Sequence, residues 1–259
     1  MLPAAPVILA LHGFTGGGGD FAPLVETAPE YRWLTPDLPG HAPDPNAPGA
    51  PSDDCRLAAG LGYLGALTSA NPAGPLVLLG YSLGGRLALR YALTRPERIA
   101  ALVLVGTSPG IANPADCAAR RLEDEKLAQQ VAAQGVPAFL QNWQRRPLIA
   151  SQSNLPESWR KAMREQRGRL RATGLAASLR QFGQGAVAPV WDRLRELTMP
   201  VLVCAGANDP KYASEAAEMS RLCPSATLFL VPQAGHMAHL ENREAFVEGL
   251  GRFLAKRLP

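Results

Sequence analysis

The sequence contains only four cysteines, Cys55, Cys117, Cys204 and Cys223, and none stands at C-x-x-C or other metal-ligand spacing. They read as reduced thiols, with Cys204 inside an apolar run that has the look of a core strand. No stretch of 18 apolar residues occurs, which excludes a transmembrane helix. The first residues, Met1-Leu2-Pro3-Ala4-Ala5-Pro6, lack a basic n-region, and the apolar run Val7–Leu11 behind them is needed as a strand. No signal peptide is therefore expected, and the expected location is cytoplasmic. Basic blocks are missing too: the net charge of +4 comes from scattered arginines, which argues against a nucleic-acid partner. Repeats and low-complexity tracts are absent. What remains, 259 residues with 47% hydrophobic and 19% charged, suffices for one sizeable core or for a core with an inserted cap.

The strongest signal for chemistry is Gly80-Tyr81-Ser82-Leu83-Gly84, set between the apolar run Leu76–Leu79 and the helical stretch Gly85–Leu93. A serine at a strand-to-helix turn is held in a strained conformation that exposes its hydroxyl, and flanking glycines let the two elements approach. The dipole of the following helix favours negative charge there. In such an elbow arrangement the acid and then the histidine come later in the chain. Val201–Ala205 reads as a strand that delivers Gly206-Ala207-Asn208-Asp209 to a loop, so Asp209 is the candidate acid. Thr227–Val231 leads through Pro232-Gln233-Ala234-Gly235 to His236, the candidate base. Upstream, Val7–Leu11 runs into His12-Gly13-Phe14-Thr15-Gly16, and the backbone N–H groups of Phe14 and Leu83 form the expected oxyanion hole.

Each piece has a structural alternative. Asp209 begins Asp-Pro turn chemistry and can act as a helix N-cap. His239 rivals His236 as the base; His12 reads as tied into its own turn, and His41 as a loop anchor. Ser82, Asp209 and His236 all follow strands in the required order, and that coincidence favours the triad.

Strand-like runs at 7–11, 33–36, 76–79, 101–105, 201–205 and 227–231 alternate with helical stretches, the pattern of a mostly parallel α/β sheet with helices on both faces. About 95 residues separate Val105 from Val201, far more than one crossover helix needs. Residues 112–190 are therefore expected to form an inserted helical cap, with 1–111 and 191–259 as the core. The Pro- and Gly-rich loop Asp37–Pro51 is expected at the surface, flanking the site entrance.

On these motifs the chain resembles the α/β-hydrolase-fold superfamily, and within it the 2-succinyl-6-hydroxy-2,4-cyclohexadiene-1-carboxylate synthases (MenH) of menaquinone biosynthesis. The resemblance spans nearly the whole length. It includes Leu11–Gly16, Pro36-Asp37-Leu38-Pro39-Gly40-His41, Gly80–Leu89, Ala119–Asp124, Phe139–Trp143, Gln166-Arg167, Gly174–Leu179 and Gly206–Tyr212. Departures occur at Ala42-Pro43-Asp44, on the expected rim of the site, and in the cap, where Arg164, Arg167, Arg169 and Arg171 compete for one role.

The resemblance implies a small anionic substrate, a carboxylated cyclohexene, and hence several cations. Arg86 lies one helical turn from Ser82 at i+4, where its guanidinium can reach a carboxylate beside the nucleophile. Arg120 and Arg167 match the family's other carboxylate-binding arginines, Arg167 being chosen by its distance from Leu175; Tyr81, Trp143 and Tyr212 match the remaining contacts. The implied mechanism is proton abstraction by Ser82 followed by elimination of pyruvate. No metal or organic cofactor, no nucleic acid and no membrane is implied, and the protein is expected to be a monomer or small homo-oligomer. Alternatives are a carboxylesterase or C–C bond hydrolase with the same triad, and a non-catalytic binding protein of the same fold.

Overall fold

Six apolar runs become the strands of one sheet: β1 (Val7–Leu11), β2 (Arg32–Leu34), β3 (Leu76–Tyr81), β4 (Ala101–Val105), β5 (Val201–Gly206) and β6 (Ala226–Val231). They are ordered β2-β1-β3-β4-β5-β6 in a computed structural model, and every neighbouring pair is parallel. The structure describes residues 6–47, 49–70 and 75–258. Residues 1–5, which bear on the expectation of no leader, and Pro48 of the Pro-rich loop lie outside them. Strand β2 stops at Leu34, short of the 33–36 run, because Pro36 has no N–H to donate to a ladder.

Four of the strands, β1, β3, β4 and β5, are buried along their full length, so both sheet faces need cover. Side chains alternate between the faces. Leu9, Leu78, Leu104 and Val203 pack with Leu64 of α2 (Leu57–Ala70), Leu87 of α3 (Leu83–Thr94) and Met219 of the later helix at Pro210–Leu222. Ile8, Leu79, Val103 and Cys204 pack instead with Leu24 of α1 (Ala22–Thr27) and with Phe246 and Leu250 of the C-terminal helix at Arg243–Arg257. The edge strand β6 keeps only Val231 buried, and Leu228 and Leu230 are exposed.

The chain leaves β1 outward to β2 and returns inward to β3, so strand order reverses between β1 and β3. Crevices at the carboxyl ends of strands form at such a switch point. Here those ends carry the His12–Gly16 turn and Ser82.

Four helices lie between β4 and β5: α4 (Pro114–Trp143), α5 (Pro147–Ala150), α6 (Glu157–Arg167) and α7 (Ala172–Phe182). Asn113 caps α4, its side chain accepting from the N–H groups of Ala115 and Asp116, and Pro114 occupies the first helical position. Gly135, at φ 75° and ψ 167°, splits α4 in two, and Pro137 opens the second piece. Leu127, Val131, Phe139 and Leu140 of α4 pack with Leu175 and Leu179 of α7 into a separate hydrophobic cluster.

Polar struts join this cluster to the sheet. Arg171 pairs with Asp53 and donates to Ala42 O (3.2 Å). Buried Arg90 of α3 donates to the carbonyls of Ala188 (2.6 Å) and Pro109 (3.3 Å), on the two sides of the insertion. The Gln166 side chain rests on Gly17 and Gly19, where any Cβ would collide with it.

Candidate active site

Ser82 stands between β3 and α3 with φ 51° and ψ −109°, a conformation that is costly for a residue with a Cβ. The sequence builds this turn by removing side chains around it. A Cβ on Gly80 would come within 2.5 Å of Gly85 Cα, and one on Gly84 would strike the Leu11 carbonyl. The Gly84 N–H donates to His12 O (3.0 Å), tying the start of α3 to the turn after β1. Phe14 and Leu83 therefore share the pocket wall beside Ser82, where their N–H groups are expected to act.

The loop after β5 supplies Asp209 and the loop after β6 supplies His236. His236 Nδ1 lies 2.8 Å from Asp209 Oδ2, and its Nε2 lies 3.2 Å from Ser82 Oγ. A carboxylate can only accept, so Nδ1 carries the proton and Nε2 is free to take one from the hydroxyl. Asp209 also caps α8 (Pro210–Leu222), accepting from Tyr212 N–H at 3.3 Å. Its two expected roles, acid and N-cap, thus coexist on different oxygens.

The rival histidines sit elsewhere. His239 is fully buried between the Phe21, Tyr81 and Phe246 rings, and both its nitrogens are unpartnered. Burial, with neighbouring His236, holds it down at about 3. His12 donates from Nδ1 to Gly13 O (2.8 Å) and accepts Leu38 N–H on Nε2 (2.9 Å), which fixes its tautomer in a structural role. His41 is anchored to Pro39 O.

A cavity opens above Ser82 between the sheet and helices α4 to α7. Its lining includes Tyr81, Arg86, Arg120, Trp143, Arg167 and Tyr212, so all the expected binding residues converge there. Arg86 is 7% exposed, donates from Nη2 to Phe182 O (3.1 Å), and leaves Nε without a partner. Burial lowers it to about 10, still cationic at neutral pH. Arg167 is equally buried, donates to Gln152 Oε1 (3.0 Å) and also has a free Nε. Arg120 is held by Asp124 (2.8 Å) and Gln184 (2.8 Å).

Of the competing cap arginines, Arg164 is exposed and pairs with Glu157, Arg169 is exposed, and Arg171 is spent on Asp53. Trp143 meets Phe14 edge-on at 5.1 Å, so α4 touches the turn after β1 directly. Burial raises the phenols of Tyr81 and Tyr212, keeping both neutral. The Tyr212 ring lies 4.5 Å from that of His236.

Sequence reasoning missed Asp20, Asp124, Gln152 and Gln184. Asp124 was detectable as the i+4 partner of Arg120. Asp20 was hidden in a Gly-rich run that reads only as a tight turn, and the two glutamines carried no signal. Among the described residues no three His, Cys, Asp or Glu side chains are grouped to hold a metal. No helix of these residues is long and apolar enough to cross a membrane.

A strained serine after the third strand, a histidine and an aspartate after later ones, and a parallel sheet beneath them define an α/β hydrolase. A family model described as the alpha/beta hydrolase fold matches residues 6–243, and the chain belongs to that family. Similarity narrows the placement. The chain is 31% identical, over 97% of its own length and 95% of the relative's, to the 2-succinyl-6-hydroxy-2,4-cyclohexadiene-1-carboxylate synthase of Salmonella schwarzengrund. It is 35% identical, over 97% and 91%, to a Bacillus subtilis protein provisionally given the same name. The solved structure of MenH from S. aureus superposes with a TM-score of 0.91 at 31% identity, covering 98% of this chain and 95% of that one. Within the α/β hydrolases the chain belongs to the 2-succinyl-6-hydroxy-2,4-cyclohexadiene-1-carboxylate synthase family.

Proposed function

We propose that the protein catalyses the reaction for which its family is named, eliminating pyruvate from 2-succinyl-5-enolpyruvyl-6-hydroxy-3-cyclohexene-1-carboxylate in menaquinone biosynthesis. The observation that carries this reading is a cavity combining a Ser–His–Asp triad with three arginines, two of which have unpartnered donors. A neutral ester has no use for such charge. A substrate with several carboxylates does.

Ser82, its proton drawn toward His236 Nε2, takes the hydrogen from the ring carbon that bears the succinyl group. Phe14 and Leu83 N–H groups hold the enolate oxygen that develops on the neighbouring carbonyl. Electrons then move through the ring double bond to make the conjugated diene and break the bond to the enolpyruvyl oxygen. The proton removed from carbon is held by the triad as a protonated His236, whose charge Asp209 stabilises; the departing enolate takes up that proton and becomes pyruvate, which restores the triad. Residues 112–190 act as the cap and contribute Arg120, Trp143 and Arg167; residues 1–111 and 191–259 contribute the triad, Tyr81, Arg86 and Tyr212. Water exclusion beneath the cap strengthens each charge contact. The reading carries with it a cytoplasmic enzyme whose partner is a small anionic molecule.

The test is direct. Purified protein given the enolpyruvyl substrate should release one pyruvate per substrate consumed, and Ser82→Ala should abolish the release. An esterase or C–C hydrolase would instead process a neutral aryl ester or a vinylogous diketone and release no pyruvate.

A further inference from the structure

Two carboxylates stand among the arginines of the cavity, and whereas Asp124 is paired with Arg120, Asp20 forms no ion pair. Asp20, from the short helical turn Gly18–Phe21, lines the cavity and is only 4% exposed. Its Oδ2 accepts Gly17 N–H (3.4 Å) and thereby closes the local turn, but its Oδ1 has no partner. Closing the turn needs one oxygen; the second is a buried acceptor left bare, a costly state unless something comes to fill it. The titratable groups around it come from several elements: Arg167 on α6, Asp37 after β2 and the neutral Tyr81 phenol at the end of β3. Burial raises Asp20 to about 6, with Arg167 opposing and Asp37 adding to the rise. It is therefore ionised at pH 8.

Asp20 and Arg167 thus line one cavity, feel each other's charge without forming an ion pair, and keep an unpartnered acceptor and an unpartnered donor, Oδ1 and Nε. A ligand that satisfies both needs a donor for the carboxylate and an acceptor for the guanidinium, and a hydroxyl close to a carboxylate supplies the two. The product for which the family is named has that edge, a 6-hydroxyl on the ring carbon adjoining the 1-carboxylate. We infer that Asp20 is a specificity-determining residue: its free carboxylate oxygen accepts the ring hydroxyl while Arg167 takes the adjacent ring carboxylate. This rests on the synthase reading above and adds to it the recognition of the hydroxyl. It also explains why an acid is tolerated in an anion site: it selects against flat aromatic acids that lack the hydroxyl donor.

The experiment compares two ligands at pH 8 by calorimetry. One is the hydroxylated diene product; the other is 2-succinylbenzoate, the aromatic compound formed from it by loss of water, which keeps both carboxylates and has no hydroxyl. Ring shape also differs between them, so the diagnostic quantity is the change in the Kd ratio between wild type and variants. Asp20→Asn keeps the volume and an acceptor for Gly17 N–H but removes the charge; Asp20→Ala removes the acceptor altogether, and thermal melts verify that each is folded. The preference of wild type for the hydroxylated ligand should shrink by about tenfold in Asp20→Ala and by less in Asp20→Asn. An unchanged ratio, or equal weakening of both ligands, overturns the inference. Pyruvate release by the same wild-type preparation separates the two levels. If release occurs and the ratio is unmoved, only the role of Asp20 falls; if no release occurs, the synthase reading falls and the inference with it.

Discussion

Replacing Arg86 by methionine should cripple the enzyme on its anionic substrate while leaving the fold at least as stable. Arg86 is 7% exposed, and no carboxylate hydrogen-bonds to it; a carbonyl, and the Phe182 ring 5.7 Å from its guanidinium carbon, are its recorded contacts. Burial lowers its pKa from 12.5 to about 10. That corresponds to a cost of about 3 kcal/mol for holding the buried charge. A base whose folded pKa is depressed carries this cost in full below the folded value, so it is present throughout the neutral range and vanishes only above about 12.5.

A substrate carboxylate against the free Nε offsets the cost, and the contact is lost in the variant. The expected loss is about 2–5 kcal/mol, or roughly 30- to 5000-fold in kcat/KM. The assay is pyruvate release coupled to lactate dehydrogenase, set beside hydrolysis of a neutral aryl ester, which should barely change. Tm should equal or exceed that of wild type, as when a buried charge without a partner is replaced by an apolar isostere. Arg86→Lys should rescue only in part, since an ammonium lacks the fork. Equal losses on both substrates together with a lower Tm would refute the reasoning and make Arg86 a support for the cap.

Asp209→Asn should cost about 10⁴-fold in kcat by favouring the wrong tautomer of His236, whereas His239→Phe should leave pyruvate release near wild type, because His239 makes no hydrogen bond and packs against three rings; steady-state kinetics of the two variants decides between the histidines. Stability should fall steeply as pH drops below 6.5, since burial holds His12, His41 and His239 at about 4, 3 and 3 while their unfolded counterparts take protons near 6.5. Each histidine costs about 1.4 kcal/mol of stability per pH unit below 6.5 until its folded value is reached, and above 6.5 nothing is lost. Asp20, raised to about 6, opposes this between about 6 and 3.8. Thermal melts from pH 8 to 4.5 should show the fall, shallower in His239→Phe; parallel curves would refute the assignment.

Legibility in the sequence followed the range of the interaction involved. The elbow at Ser82 was readable because its glycines, strand and helix are all local, and the six strands because their runs are apolar with turn residues between them. The order of acid and base came from topology, which constrains distant residues without contact knowledge. The cap was harder. Four arginines stand within eight positions, Arg164 to Arg171; which of them faces the cavity depends on where α6 ends, at Arg167, and on the packing of α6 against the turn at Gly17–Gly19. Gly135 gave no warning of the break in α4, since a glycine inside helical composition is tolerated as often as it breaks. Asp20 was invisible for the opposite reason: its neighbours in sequence announce a turn, and only the fold brings it into the same cavity as Arg167, 147 residues away.

The most direct test of the central claim is intact-mass spectrometry of enzyme quenched during turnover of the enolpyruvyl substrate, with pyruvate measured in the same samples. Ser82 acting as a base predicts stoichiometric pyruvate and unmodified protein at every time point. A substrate-derived mass on Ser82, or substrate consumption without pyruvate, would contradict the elimination mechanism and make the protein an acyl-transferring hydrolase.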